Sequence, residues 1–86
     1  VLFTNAKLDK ARLCKAAAMA HDGYARAIRP VHTSMDGDSI YAVSLGGVPA
    51  DLDAVGVIGA RVMAKAIVRA VEAADSAYGF PAARDM

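Results

Sequence analysis

Arg29-Pro30-Val31-His32-Thr33-Ser34-Met35-Asp36-Gly37-Asp38 is a polar ten-residue segment between a long helix-patterned run and a short strand-patterned run. Its reading decides the order of the elements. Pro30 ends the helix before it, because proline lacks an N–H and pushes Arg29 out of helical dihedrals. Asp36-Gly37-Asp38 then reads as a corner that launches a strand, with two carboxylates one residue apart at the strand entrance. Acidic side chains gathered at the edge of an element, in an otherwise hydrophobic chain, mark a place for chemistry. Asp36 and Asp38 are therefore the candidate catalytic residues. Asp-Gly is also an ordinary turn former; in that reading Asp36 caps the turn and Asp38 pairs with a surface lysine.

Upstream of this segment, the three-and-four spacing of Leu13, Ala17, Ala20, Tyr24 and Ala27 predicts a helix from about Lys10 to about Ile28, with Asp9 as its N-cap. Gly23 inside that helix costs roughly 1 kcal/mol relative to alanine, and close approach of another backbone explains it most simply. Val1-Leu2-Phe3-Thr4 reads as a strand and Asn5-Ala6-Lys7 as a turn. Downstream, Ser39 to Leu45 reads as a second strand. Tyr41, Val43 and Leu45 lie on one of its faces, and Ile40, Ala42 and Ser44 on the other. Both faces are largely apolar, as in a strand covered on each side. Gly46-Gly47-Val48-Pro49-Ala50 reads as a loop, Asp51 as a cap, and Leu52 to Ala74 as a second helix. Arg61, Lys65, Arg69 and Glu72 form one narrow polar stripe on it, so that helix should be packed on several sides. From about Ser76 the tail loses periodicity, and Gly79 and Pro81 mark it as irregular.

Composition excludes several function classes. A net charge of +1 with no dense Lys/Arg cluster argues against nucleic acid as a partner. Asp53, Arg61, Lys65, Arg69 and Glu72 interrupt the longest apolar run, which rules it out as a bilayer span. Val1 to Phe3 is too short an apolar run for a signal peptide. The single cysteine, Cys14, fits a reducing compartment, and the chain reads as soluble and cytoplasmic. Cys14 has no histidine at i±3 or i±4 and is expected to be a buried structural thiol. Met19 and Tyr24 are core candidates, and His32 is expected to be a loop histidine bonded to backbone. His21-Asp22 is a pair known from metal phosphohydrolases, but no further ligand stands at a suitable helical offset. Asp36-Gly37-Asp38 lacks the remaining ligands of a calcium loop. Gly46-Gly47 lacks the longer glycine pattern and the lysine of a phosphate cradle. No metal or other cofactor is expected.

The 86 residues make a single partial domain of α/β class, in the order strand, helix, strand, helix. A chain of this size buries only about 60–65% of its unfolded surface, and a lone two-stranded sheet is marginal in water. There is too little chain to cover both sheet faces and most of the second helix, so the missing cover should come from elsewhere. The abrupt start in a strand points the same way, although initiator methionine is commonly removed before valine.

Three stretches carry a family resemblance: Val1 to Leu8, Met19-Ala20-His21-Asp22-Gly23-Tyr24 through Thr33, and Asp36-Gly37-Asp38-Ser39-Ile40-Tyr41-Ala42-Val43. Together they resemble the small C-terminal β chain of the DmpA-type aminopeptidases and their nylon-oligomer hydrolase relatives, over Val1 to about Val71. The resemblance implies a precursor that cuts itself into a larger α chain and a small β chain. It implies a four-layer αββα sandwich completed by that α chain, and a higher oligomer of αβ pairs. The new β-chain terminus, a Ser or Thr, is the nucleophile. In the family it lies roughly four residues before the position matched by Val1, and this sequence does not contain it. Thr4 falls at a non-catalytic family position. Asp36 and Asp38 match the two aspartates that the amide-hydrolase branch places beside the nucleophile, where the aminopeptidase branch uses a Ser and a Glu.

Two functions follow as expectations. The first is the β subunit of a self-processed hydrolase acting on amide bonds of short peptides or amide oligomers, with this chain alone inactive. The second is a non-catalytic αβ assembly or binding module, a truncated or degenerate relative. The residues that precede Val1 discriminate between them.

Overall fold

A computed structural model describes residues 1–86. Strand β1 (Leu2–Ala6) is followed by helix α1 (Lys10–Ala27), strand β2 (Ala42–Val48), helix α2 (Leu52–Ala73) and a 3-10 turn, Ala83–Asp85. The two strands are parallel neighbours, which requires a crossover, and α1 supplies it. Asp9 caps α1 as expected, its Oδ1 accepting from the Arg12 N–H at 2.9 Å. At the other end Ile28 leaves helical geometry just ahead of Pro30. Asp51 stands at the N-cap of α2 but makes no side-chain capping bond.

The strands differ from the sequence expectation at three boundaries, two of them for one reason. Leu2, Phe3 and Thr4 pair with Ala42, Val43 and Ser44, but Ala6 pairs with Val48, so the register slips between Thr4 and Ala6. This bulge draws Asn5 and Ala6 into β1 in place of a turn, and Gly46 and Gly47 into β2 in place of a loop. A Cβ at Gly46 would stand 2.5 Å from the Asn5 carbonyl oxygen; glycine is there because the two backbones nearly touch. The bulge keeps its polar groups paired. Thr4 Oγ1 accepts from the Ala6 N–H at 3.1 Å, and Ser44 Oγ donates to the Ala6 carbonyl at 2.6 Å. The third boundary is the start of β2, at Ala42 and not at Ser39, which leaves Asp36 and Asp38 on a loop ahead of the strand.

The helices meet along a seam of small residues. Ala16, Ala20 and Gly23 of α1 and Gly56, Gly59 and Ala60 of α2 are all buried. A Cβ at Gly23 would come within 2.5 Å of the Ala60 carbonyl oxygen and 2.9 Å of the Ala64 nitrogen, so the close backbone approach read from the sequence is that of α2. Leu2 of β1 reaches Gly59, which also neighbours Ala20. The buried stripe of α1 therefore runs through Ala16 and Gly23, while Leu13, Ala17, Tyr24 and Ala27 are half-buried. Met19 lies against Gly56, half-buried. Cys14 is exposed, contrary to expectation, because the seam follows the small residues and not the whole apolar face.

Only one face of the sheet is covered. Leu2, Thr4, Ala6, Ala42 and Ser44 are buried or half-buried, whereas on the opposite face only Val43 is half-buried and Phe3, Tyr41 and Leu45 are 65%, 71% and 70% exposed. On α2, likewise, Val57, Ile58, Val62, Val68 and Val71 are exposed, so the helix is packed on one side and not on several. The chain exposes 6261 Å², against about 4,800 Å² for a compact monomer of its mass. Its radius of gyration is 15.0 Å, against about 12 Å for a compact chain of this length. The surplus surface exceeds the ~800 Å² that each partner of an ordinary protein interface buries. The tail is more ordered than its sequence suggests: Ala77 and Phe80 pair across Tyr78-Gly79, and the Ser76 hydroxyl bridges Asp85 and the Ala82 N–H.

Candidate active site

The loop of residues 28–41 carries both candidate aspartates, and its conformation follows from three local interactions. The first is a reciprocal turn. Asp36 Oδ2 accepts from the Thr33 N–H at 2.9 Å, and the Asp36 N–H donates to the Thr33 carbonyl at 3.1 Å. The second is a bond across the loop, from the Tyr24 hydroxyl of α1 to the Ser39 carbonyl at 3.4 Å. The third is a ring cluster. His21 and Tyr24, one helical turn apart on α1, have centroids 5.2 Å apart, and His32 of the loop packs 5.2 Å from His21 and 6.3 Å from Tyr24.

Asp36 and Asp38 are both exposed. Asp36 has the turn-capping bond that the structural reading of its sequence anticipates. Asp38 has neither a hydrogen bond nor an ion pair; the lysine partner considered for it is not there, and the chain's one salt bridge joins Arg84 to Asp75 in the tail. Asp38 is thus a carboxylate with no structural employment, held at the mouth of β2 by a loop that is itself fastened down. His32 makes no backbone hydrogen bond through its ring. It adopts φ 60°, in the left-handed region that histidine tolerates better than most residues, and the turn swings its ring onto His21. No three His, Cys, Asp or Glu side chains gather as a metal site would need. Thr4, the hydroxyl in the first strand, is committed to the bulge.

The ring cluster is the feature that residue-by-residue reading misses. Its signal was present in part, since His21 and Tyr24 stand at i and i+3 and so share a helix face. The position of His32 depends on a backbone reversal after Pro30, which spacing alone does not reveal.

A family model described as peptidase family S58 matches residues 1–84. The chain belongs to peptidase family S58. Among curated proteins it is similar to uncharacterized aminopeptidases of Mycobacterium bovis and Mycobacterium tuberculosis, each 39% identical over 101 residues, an alignment that covers 100% of this chain and 29% of each relative. An uncharacterized aminopeptidase of Mycobacterium leprae is 36% identical over 96 residues, covering 94% of this chain and 26% of that protein. The S58 chain therefore spans less than a third of the length of the curated relatives it matches. No solved structure matches it. None of its helices is long and apolar enough to cross a membrane.

Proposed function

We propose that this chain is the β portion of a self-processed amide or peptide hydrolase, and that Asp36 and Asp38 flank its nucleophile. The observation that carries the reading is the parallel pairing of β1 with β2. Parallel strands begin at the same end of a sheet, and each paired residue from Leu2 to Thr4 faces the residue forty positions later. The family resemblance puts the Ser or Thr nucleophile roughly four residues before Val1, on an upstream continuation of β1. That continuation of β1 and the loop of Asp36 and Asp38, which runs into the start of β2, lie at the same end of the sheet. A strand of the opposite direction would have put the acid loop and the nucleophile at opposite ends of the sheet.

The chemistry suits that neighbourhood. An N-terminal Ser or Thr carries its own base, since an α-amino group has an ordinary pKa of about 7.7–8.0 and is partly neutral near pH 7. The amine takes the hydroxyl proton as the oxygen attacks the scissile carbonyl, then delivers it to the departing amine as the C–N bond breaks. Water cleaves the resulting ester and regenerates the hydroxyl. An adjacent carboxylate accepts a hydrogen bond from the ammonium or hydroxyl and orients it. The substrate class is short peptides or amide oligomers, and the two aspartates favour the amide-hydrolase branch. The partner is a larger α chain from the same precursor, in an oligomer of αβ pairs, which supplies a layer over the open sheet face of Phe3, Tyr41 and Leu45.

Asp36→Asn and Asp38→Asn in the full-length protein test the reading, because each keeps shape while removing charge. Self-cleavage on a gel, or turnover of amino-acid p-nitroanilides and short amide oligomers, should fall by at least about a hundredfold. The melting temperature should move little, since exposed carboxylates contribute little to stability. Normal processing and normal turnover in both variants would end the assignment. Asp36, with its bond to Thr33, also has the alternative of a purely structural role; a loss of stability with normal turnover in Asp36→Asn alone would assign it there and leave Asp38 as the functional carboxylate.

A further inference from the structure

The acid loop is fastened to α1 on both sides of the aspartates, and both fastenings converge on one patch of the helix. Before the pair, His32 packs its ring against His21 and Tyr24. After the pair, the Ser39 carbonyl accepts from the Tyr24 hydroxyl at 3.4 Å. Asp36, Gly37 and Asp38 hang between these points, steadied by the Thr33–Asp36 turn. Two features are uncommon in a fastening that served stability alone. His32 holds φ 60°, a conformation that non-glycine residues adopt rarely and that clusters at functional sites. The Nδ1 atom of His21 is buried without a hydrogen-bond partner, although buried polar atoms are nearly always paired. An apolar side chain at position 21 would fill the same space without an orphaned nitrogen.

We infer that His21, Tyr24 and His32 are positioning residues, a ring clamp that sets the height and direction of the Asp36–Asp38 loop over the start of the sheet. The inference rests on the reading of the aspartates as the acid pair. None of the three rings is assigned contact with the reacting atoms; they act through the carboxylates. The required precision explains the arrangement, because a catalytic group displaced by about 1 Å can lose a hundredfold in rate. An exposed loop held only by its own turn would not keep two carboxylates to that tolerance. Clamping each flank to the same rigid helix does so, with the helix in turn held by the small-residue seam.

The test uses the full-length protein and two mild variants. Tyr24→Phe removes one hydroxyl and keeps the ring. His32→Asn removes the ring and keeps a residue that accepts positive φ. Each should lower kcat and the rate of self-cleavage by about tenfold to a hundredfold, with KM within about twofold, as for a loss confined to the transition state. The melting temperature should shift by no more than about 4 °C. His21→Leu, which keeps the volume, should behave in the same way. The deciding measurement repeats each substitution in the Asp38→Asn background. Residues that act through the carboxylates then have little left to lose, and the effects should be strongly non-additive. Full activity in Tyr24→Phe and His32→Asn, beside crippled Asp36→Asn and Asp38→Asn, would overturn the clamp and leave the acid pair standing. Equal losses in both backgrounds would also overturn it, by showing a general structural role. Full activity in the aspartate variants themselves would remove the acid pair and the clamp together.

Discussion

The seam between α1 and α2 and the outer face of the sheet are opposites in this chain. The seam is built of Ala16, Ala20, Gly23, Gly56, Gly59 and Ala60, all buried, while Phe3, Tyr41 and Leu45 on the outer face stand open. Small residues are inside and large apolar residues outside, the reverse of what a self-sufficient domain does with its side chains. Burial stabilises in proportion to apolar area, at roughly 25 cal/mol per Å², so a core of alanine and glycine captures little of what this composition offers. What the seam provides is geometry: it brings two helix backbones close enough to form one rigid unit. The larger apolar groups remain for a surface that these residues do not themselves contain. An apolar groove of about 290 Å³ between β1 and α2, bordered by Leu2, Val55, Ile58 and Val62, continues the same pattern.

The largest effect expected from this contrast is on independence. Residues 1–86 produced alone should aggregate or lack fixed packing, and should become soluble when co-expressed with the larger α chain proposed as their partner. A cooperative thermal transition with dispersed amide shifts in the isolated chain would break the comparison, because it would mean that the alanine–glycine seam suffices.

The seam itself predicts an asymmetry between two glycines. At Gly23 a methyl group would strike backbone, the Ala60 carbonyl oxygen at 2.5 Å and the Ala64 nitrogen at 2.9 Å, so the helices must separate. Gly23→Ala should therefore destabilise the full-length protein by about 2–3 kcal/mol, in spite of a helix-propensity gain of about 1 kcal/mol. At Gly56 the closest obstacles are the sulfur and methyl group of Met19, which can turn aside, with its Cβ at 3.0 Å. Gly56→Ala should fall within about 1 kcal/mol of the parent protein, with propensity and crowding nearly cancelling. Chemical denaturation of both variants measures the difference, and equal effects would mean that the backbone approach at Gly23 is looser than described.

The smallest expected effect separates the helix starts. Asp9 caps α1 with a 2.9 Å bond and Asp51 makes none. Asp9→Ala should cost about 1 kcal/mol. Asp51→Ala should cost only about 0.3–0.5 kcal/mol, the interaction of an exposed carboxylate with a helix N-terminus.

Much of this fold was legible in the residues because its determinants are local. Helical periodicity and the Asp9 cap placed α1 correctly, Pro30 marked where it stops, and Gly23 announced the close approach of a second backbone. The ends of the strands were not legible. Gly46-Gly47 has the composition of a loop, and only the slipped pairing with Asn5 and Ala6 makes it part of a strand. The exposure of Cys14 was not legible either, because an apolar helix face does not say which of its residues the partner helix touches.

For the candidate site the division is sharper. Sequence by itself determined that two carboxylates stand one residue apart on the connection between helix and strand, and resemblance matched them to a hydrolase family. Only the tertiary structure decided that β1 and β2 run parallel, so that the acid loop and the start of β1 share one end of the sheet. Only it brought His21, Tyr24 and His32 together around that loop. The physical reason is the range of the forces concerned. Capping, helix termination and periodicity act within a few residues, where spacing is a sufficient guide. Strand direction and ring packing join residues roughly 10 to 40 positions apart, and their geometry exists only once the helices have packed along their seam.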